Sequence, residues 1–131
     1  MNKERKVDQY KFTNYIRRAE ECLRAGQYAF ERREFDACVI NYVHSAISAS
    51  DAVCVYFLKK RSAADDHRVA PYLLQQIDKD CAEQATRLSR LIGLKSESEY
   101  GEVNMTEKDA EQAKLDAERF LHFVKSKLPS K

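Results

Sequence analysis

Arg61 and His67 stand with five residues between them in the run KKRSAADDHRVAP, residues 59–71. Both types are suited to work on a phosphodiester. A guanidinium fork grips a phosphate through paired hydrogen bonds, and an imidazole titrating near neutrality can move the proton of a hydroxyl. Asp65 and Asp66 lie between the two; they favour the protonated imidazole but repel an approaching anion. The plainer reading of these residues is a helix junction. Arg61 is then solvated at a helix end, where its charge suits the dipole, and His67 helps to start the next helix. Between these stands a binding role, with Arg61 gripping a phosphate or carboxylate.

Other residues are candidates on the same terms. His44 and Asp51 lie seven apart, about two turns, and so share one face of an otherwise apolar helix. A polar pair in such a place needs partners, and Tyr42 or Ser48 could supply hydrogen bonds. A satisfied core network or an interface contact explains them without function. If they have one, Asp51 with Arg61 and His67 would line one pocket at the end of that helix. Lys95 and Tyr100 flank a later polar loop, either solvated or touching a ligand or partner. The ligand-binding candidates are therefore Asp51, Arg61, His67, Lys95 and Tyr100, and any catalysis would fall to Arg61 and His67. His122, beside Phe123, reads as surface or interface. The arginines 17, 18, 24, 32 and 33 alternate with Glu20, Glu21, Glu31 and Glu34, the pattern of a solvated helix face.

The chain's bulk properties bound these readings. Its 131 residues make one domain. The net charge of +2 is too small to require nucleic acid as a partner, and does not exclude it. Four dispersed cysteines (Cys22, Cys38, Cys54, Cys81) form no CxxC or Cys/His cluster, so they read as buried free thiols, and neither a metal nor a cofactor is implied. No run of about 18 apolar residues calls for a membrane span. The polar start, MNKERKVDQYKFTN, lacks a signal-peptide core. A cytoplasmic setting is expected.

Three glycines and two prolines leave long uninterrupted stretches with helical period and no strand alternation. Residues 1–12 are expected to be a flexible segment and 13–128 the domain. The first helix runs from about Thr13 to Arg33, with Ile16, Ala19, Leu23, Gly26 and Phe30 inward. The second, about Asp36 to Lys60, is apolar almost all round and belongs at the centre. The third, about Arg68 to Leu94, tolerates Pro71 in its first turn and is capped by Asp65 or Asp66. A polar segment, KSESEYGEVNM, follows without helical pattern. Thr106 with Asp109 approximates a capping box for the fourth helix, which Pro129 ends. Four long helices with short connections predict an all-α, up-down antiparallel bundle.

The run RAEECLRAGQYAFERREFDACVINYVHSAISASDAV resembles the first two helices of HEPN domains, and EYGEVNMTEKDAEQAKLDAERFLHFVKSKL is similar to their last loop and helix. The resemblance covers residues 13 to 128, mostly through packing patterns. It implies a small helical bundle, commonly a homodimer, and often paired with a nucleotidyltransferase as toxin and antitoxin. Active members of that family are metal-independent ribonucleases using an Arg and a His a few residues apart, near the start of the last helix. Arg61 and His67 match that spacing but not that place. The matching place holds Lys95, Ser96, Glu97, Ser98, Glu99 and Tyr100, with no histidine.

The expectation is thus a non-catalytic HEPN-like module that recognises a nucleotide, RNA or a nucleotidyltransferase-type partner. A toxin-like ribonuclease using Arg61 and His67 is the alternative, and a structural helical adaptor the third reading.

Overall fold

Two helices joined by a three-residue turn open the domain: α1 (Phe12–Glu31) and α2 (Phe35–Leu58). They are antiparallel. Phe30 meets Phe35 beside the turn, the Ser45 hydroxyl donates to the Ala19 carbonyl midway (2.7 Å), and Phe12 packs on Tyr56 at the far end. Close approach is possible because Gly26 faces the buried Tyr42; a Cβ built on Gly26 would lie 2.8 Å from that ring. The turn is tightened by Arg33, held in the left-handed region at φ 60°.

The computed structural model describes residues 3–63 and 67–129, with the backbone only of Ser96, Ser98, Glu99 and Tyr100. Fifteen residues of α2 are buried, among them Ser45, Ser48, Ser50 and Asp51, which makes it the central helix its composition calls for. It is long and apolar enough to cross a bilayer, yet 83% of that stretch is buried inside this fold. Coverage by neighbouring helices accounts for its apolarity.

The N-terminal segment departs from expectation. Glu4–Lys6 form strand β1, which pairs antiparallel with β2 (Lys60–Ser62), and a 3-10 turn spans Gln9–Lys11. The Val7 amide donates to the Lys59 carbonyl (2.9 Å) and the Ala63 amide to the Lys3 carbonyl (2.7 Å). Three highly charged residues carry no alternation to read, so backbone pairing alone reveals this ribbon. It also stops α2 at Leu58. Lys59, expected to be helical or nearly so, turns the chain from the left-handed region.

The expected third helix is two helices. A 3-10 turn, His67–Val69, leads into α3 (Ala70–Gln75), with Pro71 in its first turn, and α4 (Cys81–Tyr100) follows. Between them lies IDKD, where Asp80 N–H donates to Asp78 (3.4 Å) and Lys127 reaches the same carboxylate (3.0 Å). Aspartates favour such turns. The apolar spacing continues across the break because α3 and α4 both face α2. Helix α4 then runs through Lys95–Tyr100, expected to be a loop, because lysine and glutamate propagate a helix without needing an apolar face. Asp65 and Asp66, expected as caps, lie outside the described residues.

Helix α5 (Glu107–Lys127) begins as its sequence demands. Thr106 Oγ1 accepts from the Asp109 amide (3.1 Å) and Asp109 accepts from the Thr106 amide (2.9 Å), a complete capping box. Ala110, Ala113, Ala117, Phe120, Leu121 and Val124 are buried. The fold is thus all-α apart from one short ribbon, with five helices among the described residues where four were expected.

Candidate functional site

Asp51 is 6% exposed, on the last third of α2, and faces two guanidinium groups. Arg61 arrives on β2 and Arg18 on α1. Both lie against one ring: the Arg18 and Arg61 guanidinium carbons are 5.4 and 5.9 Å from the centroid of Tyr15. Arg61 is fixed further, donating from Nε to the Tyr15 hydroxyl (3.1 Å) and from Nη1 to the Ser62 carbonyl (2.8 Å). Burial pushes the Asp51 carboxyl up to about 7, against the opposing pull of Arg61, then Arg18, then the buried Ser62 side chain. Near neutrality two cations therefore confront a carboxyl that is only partly ionised. Outside Arg18 the surface opens into a shallow groove of about 320 Å³ lined by Asn14, Arg17, Arg18 and Glu21. Such a corner has the chemistry to hold an anion.

Of the candidates read from the sequence, Asp51 and Arg61 are the two this corner unites. Tyr42, read from the sequence as a hydrogen-bond partner for His44 and Asp51, is fully buried near Cys38. His67 opens the 3-10 turn, which packs on β2, α3 and α4, and is half-buried. Lys95 and Tyr100 belong to the other end. Helix α4 starts at Cys81, near Cys54 on α2; at about 1.5 Å per residue, Lys95 lies about 21 Å further along and Tyr100 about 28 Å. Just beyond, the Met105 amide donates to Asp36 at the start of α2 (2.7 Å). The side chain of Tyr100 lies outside the described residues, and His122 is exposed, as read.

A family model of the HEPN domain matches residues 12–127. The chain belongs to the HEPN domain family. Membership suggests a nucleotide- or RNA-related module. No curated protein matches the chain.

Two constellations of this HEPN domain escaped the sequence. Tyr15 and Arg18 sit one turn apart on α1, and nothing in their spacing says that β2 returns Arg61 to the same ring. The i, i+3 pairing of an aromatic and an arginine was the available signal. The second is a clasp between α4 and α5. Asp116 has a side chain only 2% exposed and takes Arg90 Nη2 at 3.0 Å, Gln112 at 3.2 Å and Arg87 Nε at 3.6 Å. Arg87 and Arg90 are three apart, so both can reach one carboxylate across the helix pair. This clasp is structural. The buried thiols are inert: burial pushes Cys38 up to about 11 and Cys54 to about 12, so neither is a thiolate nucleophile at neutral pH.

Proposed function

We propose that this HEPN domain is a non-catalytic binding module that holds the phosphate of a nucleotide or RNA between Arg18 and Arg61. The observation carrying this reading is the shared Tyr15 ring. It gathers two guanidiniums from separate elements beside a carboxyl that burial keeps partly protonated. Two like charges drawn together with only a partial counter-charge favour an anionic guest. The protein partners that suit this reading are a second copy of the chain and a nucleotidyltransferase-type protein. A cytoplasmic setting accords with free thiols at Cys38, Cys54 and Cys81.

Calorimetric titration with AMP, ATP and GTP tests the reading, using the wild type beside Arg18→Ala and Arg61→Ala. Binding that both variants weaken is the expected result. Silence across millimolar concentrations would leave the structural adaptor as the better account.

The ribonuclease reading keeps one supporting observation, that β2 and the 3-10 turn bearing His67 pack together, so Arg61 and His67 come from touching elements. Incubating RNA with the protein in EDTA, beside Arg61→Ala and His67→Ala, separates it. Equal cleavage in all three would remove it.

A further inference from the structure

The charge of this chain is unevenly placed. Residues 3–11 and 59–62 hold seven lysines and arginines against Glu4 and Asp8. Counting Asp65 and Asp66, next in the sequence, still leaves an excess of three, more than the +2 of the whole molecule. The ribbon register compounds this, since Arg5 lies opposite Arg61 and Lys6 opposite Lys60. Like charges directly across a ladder repel, an effect that the ion pair of Lys60 with Glu4 at 3.1 Å offsets in part. Beside the ribbon an open groove of about 560 Å³ is lined by Lys6, Val7, Asp8, Gln9, Tyr10 and Lys59. Tyr10 is 71% exposed there, with the Lys11 ammonium 6.0 Å from its ring centroid. Lys59 presents its charge from a left-handed backbone at φ 58°, where glycine would be the unstrained choice.

We infer that this groove, beside the ribbon that also carries Arg61, is a docking track for a single strand of nucleic acid. The inference rests on the reading that the corner of Arg18 and Arg61 takes a phosphate, and extends it from one phosphate to a chain of them. Lys6 and Lys59 face successive phosphodiesters, and the Tyr10 ring stacks an unpaired base. This combination of basic groove and exposed aromatic is what unpaired strands require. An acidic peptide would leave the ring unused. An anionic bilayer would need an apolar patch to enter, and the groove offers Tyr10 and half-buried Val7 amid charges.

The test is fluorescence anisotropy with a labelled oligouridine of roughly 12 nucleotides, alongside a polyglutamate peptide and phosphatidylserine vesicles, with AMP titrated separately. The variants are Lys6→Glu/Lys59→Gly and Tyr10→Ala. All three positions are exposed and Lys59→Gly relieves the backbone, so melting temperatures should not fall. The double variant should bind oligouridine at least about tenfold more weakly at low salt, with the log–log salt slope reduced by about 1.4, as for two lost phosphate contacts. Tyr10→Ala should lose about fivefold or more, and AMP binding should hold in both variants. Unchanged oligouridine affinity and slope in the double variant would overturn the inference, as would tighter binding of polyglutamate or vesicles than of oligouridine. Two further outcomes separate the inference from the reading beneath it. If AMP binds through Arg18 and Arg61 while oligouridine binds no tighter than AMP, the track fails and the corner stands. If the groove variants abolish strand binding while Arg18→Ala changes neither ligand, the corner fails and the track stands.

Discussion

Replacing Asp51 by asparagine should flatten the pH dependence of stability in one defined window. Burial raises the carboxyl from 3.8 to about 7, so the folded protein holds this proton more tightly than the unfolded chain does. The sign follows from linkage. Below about pH 4 the group is protonated in both states and costs the fold nothing. Between about 4 and 7 the unfolded chain releases its proton first, and stability falls as pH rises; above about 7 the loss is complete. Roughly three units at about 1.4 kcal/mol each give a loss of about 4 kcal/mol. The asparagine side chain has the same shape and no proton to release, and whatever its amide costs in burial is independent of pH. Urea denaturation followed by circular dichroism from pH 4 to 8 gives both curves. The difference, mutant minus wild type, should climb by several kcal/mol across the window and then level. Parallel curves would refute the reasoning, because Asp51 would then titrate alike in both states.

Gly26→Ala improves helix propensity by about 1 kcal/mol, yet its Cβ would meet the Tyr42 ring at 2.8 Å; a net loss of about 1–3 kcal/mol is expected in the same denaturation assay. Asp116→Ala strips one counter-charge from Arg87, whose side chain is 14% exposed and keeps Glu83 at 3.4 Å, and should cost about 1–3 kcal/mol. Lys59→Gly and Arg33→Gly both relieve a left-handed backbone and should raise stability by about 1 kcal/mol. The gain at Arg33 is smaller, because its exposed ion pair with Glu107 (2.9 Å) goes with it; melting temperatures would rank the two.

What the sequence showed of this molecule was what local patterns encode. The apolar ring around α2, the Thr106–Asp109 box and the stripe from Ala110 to Val124 each depend on a few neighbouring residues, and each is found where the pattern placed it. What was hidden depended on neighbours distant in sequence. The β1–β2 ribbon joins residues more than fifty positions apart. The break at IDKD was masked because Leu73, Cys81 and Leu88 keep their spacing on both sides and all reach the same core. The site divides along the same line. Asp51 and Arg61 were legible as unusual residues near a helix end. Tyr15 and Arg18 were not, since only the return of β2 against α1 makes them partners.

The placement of local faults supports the functional reading independently of family. A chain selected for stability alone would put glycine at position 59 and oppose Arg5 and Lys6 with acids. Instead the left-handed lysine costs about 1–2 kcal/mol and each opposed like pair up to about 1 kcal/mol. Asp51, where asparagine would spare the fold the loss at neutral pH, stands at the same end of α2. At the other end Arg33 shares the left-handed backbone but is paired with Glu107, and along α4–α5 Asp116 is clasped by arginines and Thr106 caps its helix. Departures from local consistency that gather at one place mark where a sequence answers to something other than its own fold. At the ribbon end Lys59, Arg5 and Lys6 add or expose positive charge, and Asp51 withholds part of a negative one. That pattern supports the anion proposed for the corner of Arg18 and Arg61.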